Sequence, residues 1–441
     1  VIMILSGFYI KPGQDHYDFS RIDAVLDFVL QQGWIPFIDL GLKPRILLYE
    51  IGRSDQKKVR EEYTCEEWEK LMKAFMRHLS TRYGANELDN WRMELWFDEQ
   101  HRDDRKAWDE YLKMFTITYR AVKSCNDSIS LGGYGIRMDY GGDARIEFFK
   151  LWKRSAPLPD FISVMYYAYA RGEDGKDLSA RRVTDDAAFK KLLEEEKKRL
   201  QKAGMGDIPV NICEWNFTPS VRNIINDSCY KGAYVMRNIL DVYQLAQSMG
   251  YGAGSDLLFS SYDTSDMLFG GAGLITRDGI MKPAGYAMGF LNRTFSNLIG
   301  IDTNYLITTD EHNNYVVVCH NQQKLNEQYY LTPETQIRRD ADWKYFDDLH
   351  RLKLRIVLRD VKEGHYRIRI YRVNNHCGSV LDTWESMDFE NELSRDDISY
   401  LQRTCVPKVT IQKTETVQGN LVIQAELDPN EIARISVRYI S

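Results

Sequence analysis

The sequence predicts an α/β fold: a (β/α)8 barrel of TIM type whose first βα unit falls outside this chain, followed by a C-terminal β-sandwich. Three observations carry this reading. Up to about residue 295, short apolar runs alternate with amphipathic helical patterns, the signature of a parallel sheet with crossover helices. The runs lie at 1–5, 34–40, 91–97, 128–133, 159–167, 208–214 and 256–261, one fewer than a barrel needs. Beyond residue 295 the period changes to two. At 441 residues the chain exceeds the size of a single hydrophobic core, so domains are expected at 1–295 and 296–441.

Each element has a local reason. The run 1–5 is apolar but has no basic leader or cleavage site, and no initiator Met opens it. It reads as an internal strand in a fragment of a longer protein. Ser20 opens the first helix, and the strand that follows carries Asp39 at its end. Thr64 opens the next helix, with Glu67 completing a capping box. Its Trp68, Leu71, Met72, Phe75, Met76 and Leu79 fall at helical spacing and form a core face. A third helix repeats the pattern with Trp108, Leu112, Phe115, Tyr119 and Val122. The run 190–202, "KKLLEEEKKRLQK", reads as a solvated helix face. In "VNICEWN", 210–216, Val210, Ile212 and Glu214 share one face by the strand period. Further on, "KLKLRIVLRDV", "HYRIRIYRV" and "LVIQAEL" alternate apolar with polar residues, as sandwich strands do.

Composition excludes several classes. A net charge of −6 supplies no footprint for nucleic acid, so this chain alone is expected to bind no DNA. No window approaches a membrane span. The seven cysteines include no CxxC pair and are odd in number, which suits a reduced, cytoplasmic setting. No His/Cys cluster has ligand spacing, so neither metal nor organic cofactor is expected. The 27 Tyr and 9 Trp are mostly core, but aromatic faces also stack on sugar rings.

Reactive groups of a barrel of this kind sit at the C-terminal ends of its strands. Asp39, Asp98, Glu214 and Asp263 all fall at or just past such ends. Glu214 tops a column of apolar side chains; it is either a catalytic acid or an acid paired to an Arg at the rim. Two carboxylates on different strands are what glycoside hydrolysis requires, one to attack or stabilise the sugar carbon and one to protonate the leaving oxygen.

Several segments carry a family resemblance: "YDFSRIDAVLDFVLQQGWIPFIDLGLKP", "ICEWN", "GGAGLITRDGIMKPAGYA" and "NNHCGSVLDTWESM". They resemble glycoside hydrolase family 39, the β-xylosidase and iduronidase group, and most closely the family-39-like regions of bacterial AraC-type transcription regulators. The resemblance makes Glu214 the nucleophile. The family's acid/base strand ends in Trp-Asn-Glu-Pro, whereas this sequence has Trp96, Phe97, Asp98 and Glu99. Asp98 therefore stands at the acid/base position, Phe97 where an Asn would contact the sugar 2-OH, and Glu99 as a rim acid. Met3 and Met165 stand where the family carries histidines, and Tyr262 where it carries a Trp. Phe97, Glu99, Met165, Tyr167, Tyr262 and Asp39 are thus the expected ligand contacts beside Glu214 and Asp98.

Three functions follow as expectations. The first is a carbohydrate-binding or sensing module with a degenerate acid/base, taking a xyloside-like ligand and, as the regulator resemblance implies, contacting DNA only through a domain absent from this chain. The second is an active retaining β-glycosidase of β-xylosidase type, with Glu214 as nucleophile and Asp98 or Glu99 as the acid. The third is a dimerisation scaffold, giving a homodimer.

Overall fold

A computed structural model of the chain describes residues 2–4, 17–40, 65–96, 104–139, 142–170, 181–218, 220, 222–250, 267–347, 349–390 and 392–440. Contacts divide the chain into two units. One comprises Val1–Tyr166, Lys191–Trp215 and Leu245–Gly250; the other comprises Tyr167–Lys190, Asn216–Gln244 and Tyr251–Ser441.

The first unit is built on a sheet of seven strands in the order β1-β2-β3-β4-β5-β8-β9. These are β1 (Ile2–Ile4), β2 (Phe37–Asp39), β3 (Arg92–Trp96), β4 (Ser130–Arg137), β5 (Ile162–Tyr167), β8 (Val210–Asn216) and β9 (Ser248–Met249). Helices separate them in sequence: α1 (Ser20–Gln31), α2 (Cys65–Tyr83), α3 (Arg105–Cys125), α4 (Ala144–Ser155) and α5 (Ala188–Lys202). Neighbours from β1 to β5 run parallel, as do β8 and β9. The expected strand 256–261 lies outside the described residues.

The helix faces follow the sequence period. In α2 the buried residues are the six expected, Trp68, Leu71, Met72, Phe75, Met76 and Leu79, and the Trp68 indole donates to Thr118 Oγ1 of α3 at 2.8 Å. In α3 the apolar stripe includes Tyr111, while Tyr119 is only half-buried. The reason is polar: the Tyr111 hydroxyl donates to Leu95 O and accepts from Tyr134 N, each at 2.9 Å, tying the helix to two strands. Helix α1 begins at Ser20, and Asp18 Oδ1 takes the Ser20 backbone N–H at 2.9 Å. Thr64 lies outside the described residues.

The charged run on α5 departs from expectation. Lys190, Lys191, Glu195, Lys198 and Lys202 are exposed, but Glu196 is fully buried and pairs with Arg145 of α4. A charge inside a charged run looks solvated until a partner elsewhere in the chain removes it from water.

The second unit holds the sandwich. Six strands form an antiparallel sheet in the order β10-β11-β12-β17-β14-β15: β10 (Asn297–Asp302), β11 (Tyr305–Thr309), β12 (Tyr315–His320), β14 (His365–Val373), β15 (Lys408–Glu415) and β17 (Ile432–Tyr439). A second sheet pairs β13 (Leu352–Leu358) with β16 (Leu421–Leu427). The alternation holds closely in β16, whose residues are buried and exposed by turns. Ile356, Leu358, Leu421 and Ile423 of the small sheet meet Val317, Ile368, Ile370 and Ile435 of the large one in a single core. Each such side chain contributes roughly 1.5–3 kcal/mol on burial. This unit also holds the short hairpin of β6 (Tyr169–Ala170) and β7 (Arg181–Arg182). Its helices are α6 (Cys229–Val242), α7 (Pro283–Leu291), α8 (Glu327–Leu331), α9 (Val380–Glu385) and α10 (Arg395–Thr404).

Candidate functional site

The C-terminal ends of the parallel strands in the first unit present Asp39 on β2, Trp96 on β3, Arg137 on β4, Met165 on β5 and Glu214 on β8. Glu214 is placed as its strand pattern requires. Val210 and Ile212 below it are buried, Trp215 beyond it is buried, and Glu214 itself is only partly covered. On the opposite strand face the Cys213 thiol donates to Val164 O at 3.4 Å, fixing β8 against β5. Met165 is buried and stands opposite Arg137 in register. The Arg137 guanidinium holds Asp139 at 2.9 Å.

Asp39 is buried at 3% exposure and lies directly opposite Glu94, itself at 2%. Glu94 was not among the residues expected from sequence. The signal was available in the strand period: positions 94, 96 and 98 share parity, so Glu94 and Trp96 occupy one face of β3. Residues opposite each other in a parallel pair also share a face, which brings Asp39 and Glu94 together as neighbouring buried acids.

A bulge in β4 shapes the next position. Tyr134 and Gly135 have φ of 90° and 58°, and the register with β5 shifts between Tyr134 and Ile136. The Trp96 indole donates to Gly135 O at 3.1 Å, and a Cβ on Gly135 would run into the indole ring. Glycine is needed here for both its backbone and its missing side chain.

Phe97, Asp98, Glu99, Tyr262 and Asp263 lie outside the described residues, and β3 is described up to Trp96. Tyr167 is the last residue of β5, is half-buried and belongs to the second unit.

That unit contains a polar cluster that the sequence reading missed. Glu334 Oε1 accepts from the Tyr169 hydroxyl, from Asn223 Nδ2 at 3.0 Å and from Thr218 Oγ1 at 3.3 Å. Asn223 also donates to the Tyr329 hydroxyl at 2.8 Å, and Arg182 lies 4.4 Å over the Tyr329 ring. Burial pushes the Tyr169 hydroxyl well above its usual range, and the Glu334 carboxylate adds to the effect. The segment around "GGAG" is anchored in the same unit. Lys282 and Asp227 form a buried ion pair at 2.5 Å, and Gly270 N donates to Asp227 Oδ2 at 2.8 Å.

Among the described residues there is no group of three or more His, Cys, Asp or Glu that could hold a metal. No described helix is long and apolar enough to cross a membrane.

Comparison with known proteins gives four findings. The model of "Glycosyl hydrolases family 39" matches residues 7–422. A β-xylosidase of Caldicellulosiruptor saccharolyticus is 29% identical over 295 residues, 65% of this chain and 58% of that protein, so the chain spans under two thirds of this relative. A solved monomeric β-xylosidase from Caulobacter crescentus CB15 superposes with a TM-score of 0.78 at 23% identity, covering 98% of this chain and 87% of the other. More distantly, an uncharacterized HTH-type transcriptional regulator of Staphylococcus aureus is 19% identical over 230 residues, 52% of this chain and 29% of the regulator.

Proposed function

The chain belongs to glycosyl hydrolase family 39, and on that premise we infer that it is a carbohydrate-binding or sensing module for a xyloside-like saccharide, with its hydrolytic acid degraded. One observation carries the reading: the strand that should end in Trp-Asn-Glu-Pro has Trp96, Phe97, Asp98 and Glu99, while Glu214 keeps its place on β8.

The chemistry follows from side-chain length and polarity. Asp98 is one methylene shorter than Glu, which sets its carboxyl back by about 1.5 Å. A misplacement on the order of 1 Å can cost roughly 100-fold in rate. A free Asp is also the stronger acid and is harder to keep protonated at neutral pH. Phe97 can neither donate to nor accept from a sugar 2-OH, a bond that strengthens in the transition state. Met165, in place of a ring nitrogen, removes another polar contact to a pyranose. Glu214 would remain as the charge beside the anomeric carbon, and Tyr167 and Tyr262 as stacking faces. Asp39, buried beside Glu94, and the rim acid Glu99 would serve as further acceptors.

The wider setting is part of the same reading. The resemblance to an HTH-type regulator supports attachment to a DNA-binding domain, and hence a cytoplasmic location. The free cysteines suit such a compartment. We keep 1–295 and 296–441 as the proposed domain boundary, since the sandwich sheet starts at Asn297. The scaffold reading has less support, because the Caulobacter relative is a monomeric β-xylosidase.

The test is calorimetric titration of the purified chain with xylobiose, run beside turnover of xylobiose and of an activated nitrophenyl xyloside. Binding with slow cleavage of the activated substrate alone is the expected result. Rapid hydrolysis of xylobiose would overturn the sensing reading in favour of a working glycosidase. Neither binding nor turnover would favour the scaffold.

A further inference from the structure

The outer face of the six-stranded sheet carries an arrangement that saccharide binding does not use. Strand alternation sends Tyr366, Ile368, Ile370, Ile435 and Val437 into the sandwich core, so Arg367, Arg369, Ser436 and Arg438 face outward. The register puts Arg367 directly opposite Arg438 and Arg369 opposite Ser436. On its other side Arg367 stands opposite Lys413 of β15. Like charges directly opposite each other destabilise a strand pair. Here a cationic row of Lys413, Arg367 and Arg438 crosses three adjacent strands.

No ion pair among the described residues neutralises that row. Arg367, Arg369 and Arg438 make no hydrogen bond or ion pair there, and Arg369 Nε is buried without an acceptor. Along β15 the next acid, Glu415, stands opposite His365 at 3.8 Å. One row further, Arg434 is occupied, lying 4.0 Å over the Tyr371 ring. The chain as a whole has 64 acidic residues against 58 basic ones, so the cluster is not a by-product of a basic protein. The four residues line a shallow depression.

We propose that Arg367, Arg369, Ser436 and Arg438 form a binding site for a phosphoryl group. A guanidinium presents paired N–H donors that match a tetrahedral oxyanion, and charge-assisted bonds of this kind are the strong ones. The Ser436 hydroxyl supplies a donor between the arginines. The block spans two residues on each of two neighbouring strands, the footprint of one small anion rather than of an extended polymer. A bound phosphoryl group would give Arg369 Nε its acceptor and turn the Arg367–Arg438 repulsion into shared attraction.

The test is thermal unfolding of the intact chain in millimolar inorganic phosphate, in xylose 1-phosphate and in sodium chloride at matched ionic strength. A ligand that binds only the folded state raises Tm. Phosphate should raise Tm well above the chloride control. Arg369→Gln and Arg438→Gln should each weaken the apparent affinity roughly tenfold. Their Tm in chloride should match or exceed that of the unmodified chain, because removing a cation relieves the repulsion; this separates lost binding from lost folding. Stronger stabilisation by xylose 1-phosphate would identify the ligand as a phosphorylated sugar, and equal stabilisation would identify it as phosphate itself. The proposal is overturned if phosphate does no more than chloride, if Arg369→Gln keeps the full shift, or if a DNA duplex stabilises the chain where phosphate does not.

Discussion

Arg145 Nη2 lies 2.6 Å from Glu196 Oε1, with the two side chains at 1% and 0% exposure. Arg145 also donates to Met138 O at 3.2 Å and lies 5.4 Å over the Tyr134 ring, and Arg199 gives Glu196 a second partner at 3.2 Å. Removing one partner strands a buried charge, whereas replacing both with apolar residues does not. Glu196→Ala should therefore lower stability by roughly 3–5 kcal/mol. Arg145→Met combined with Glu196→Leu should recover most of that loss, read by urea unfolding of the single and double variants.

On the proposed reading, Glu214 is the nucleophile through which any residual chemistry would pass. An activated aryl xyloside needs little protonation of its leaving group but still needs the nucleophile. Glu214→Gln should abolish its slow cleavage and change xylobiose affinity by only a few-fold. Cleavage that survives the substitution would place the nucleophile elsewhere.

Restoring the family pattern at positions 97 and 98, just after Trp96, tests whether those two residues limit turnover. Asp98→Glu alone should help little, because Phe97 still cannot reach the sugar 2-OH. Phe97→Asn with Asp98→Glu should raise kcat/KM by more than the product of the single effects, since both groups act on one transition state. Strictly multiplicative effects on nitrophenyl xyloside turnover would refute the coupling.

In the second unit, Asp342 and Asp382 should make stability pH-dependent. Burial, with Asp382 adding to it, pushes Asp342 up to about 7, and burial pushes Asp382 up to about 6. Asp382 accepts from the Ser379 hydroxyl and has the Cys229 thiol 3.9 Å away. A carboxyl with a raised folded pKa binds more protons folded than unfolded. Its contribution is fully present below the unfolded value and is lost as pH rises toward the folded one. Asp342→Asn should thus raise Tm relative to the unmodified chain above pH 7, and the gain should shrink toward pH 4. Taking the difference between the two proteins at each pH removes His320, which burial holds down at about 3 and whose slope has the opposite sign.

How much of this was legible in advance depended on distance along the chain. The buried stripe of α2, the alternation of β16 and the place of Glu214 above Val210 and Ile212 were set by the sequence, because helix and strand periods are properties of a few consecutive residues. The family of the chain was legible for a similar reason, since "ICEWN" and "GGAG" are contiguous strings. Partnerships were a different matter. Glu196 reads as one more charge in "LLEEEKKRL" until folding brings Arg145 to it from 51 residues away. The same holds for Asp39 beside Glu94, Glu334 beneath Tyr169, and Arg367 opposite Arg438. Strand order and register decide Asp39–Glu94 and Arg367–Arg438, and a one-residue slip would change both while leaving the local pattern intact, whereas Arg145–Glu196 and Tyr169–Glu334 are decided by how helices and loops pack from distant parts of the chain.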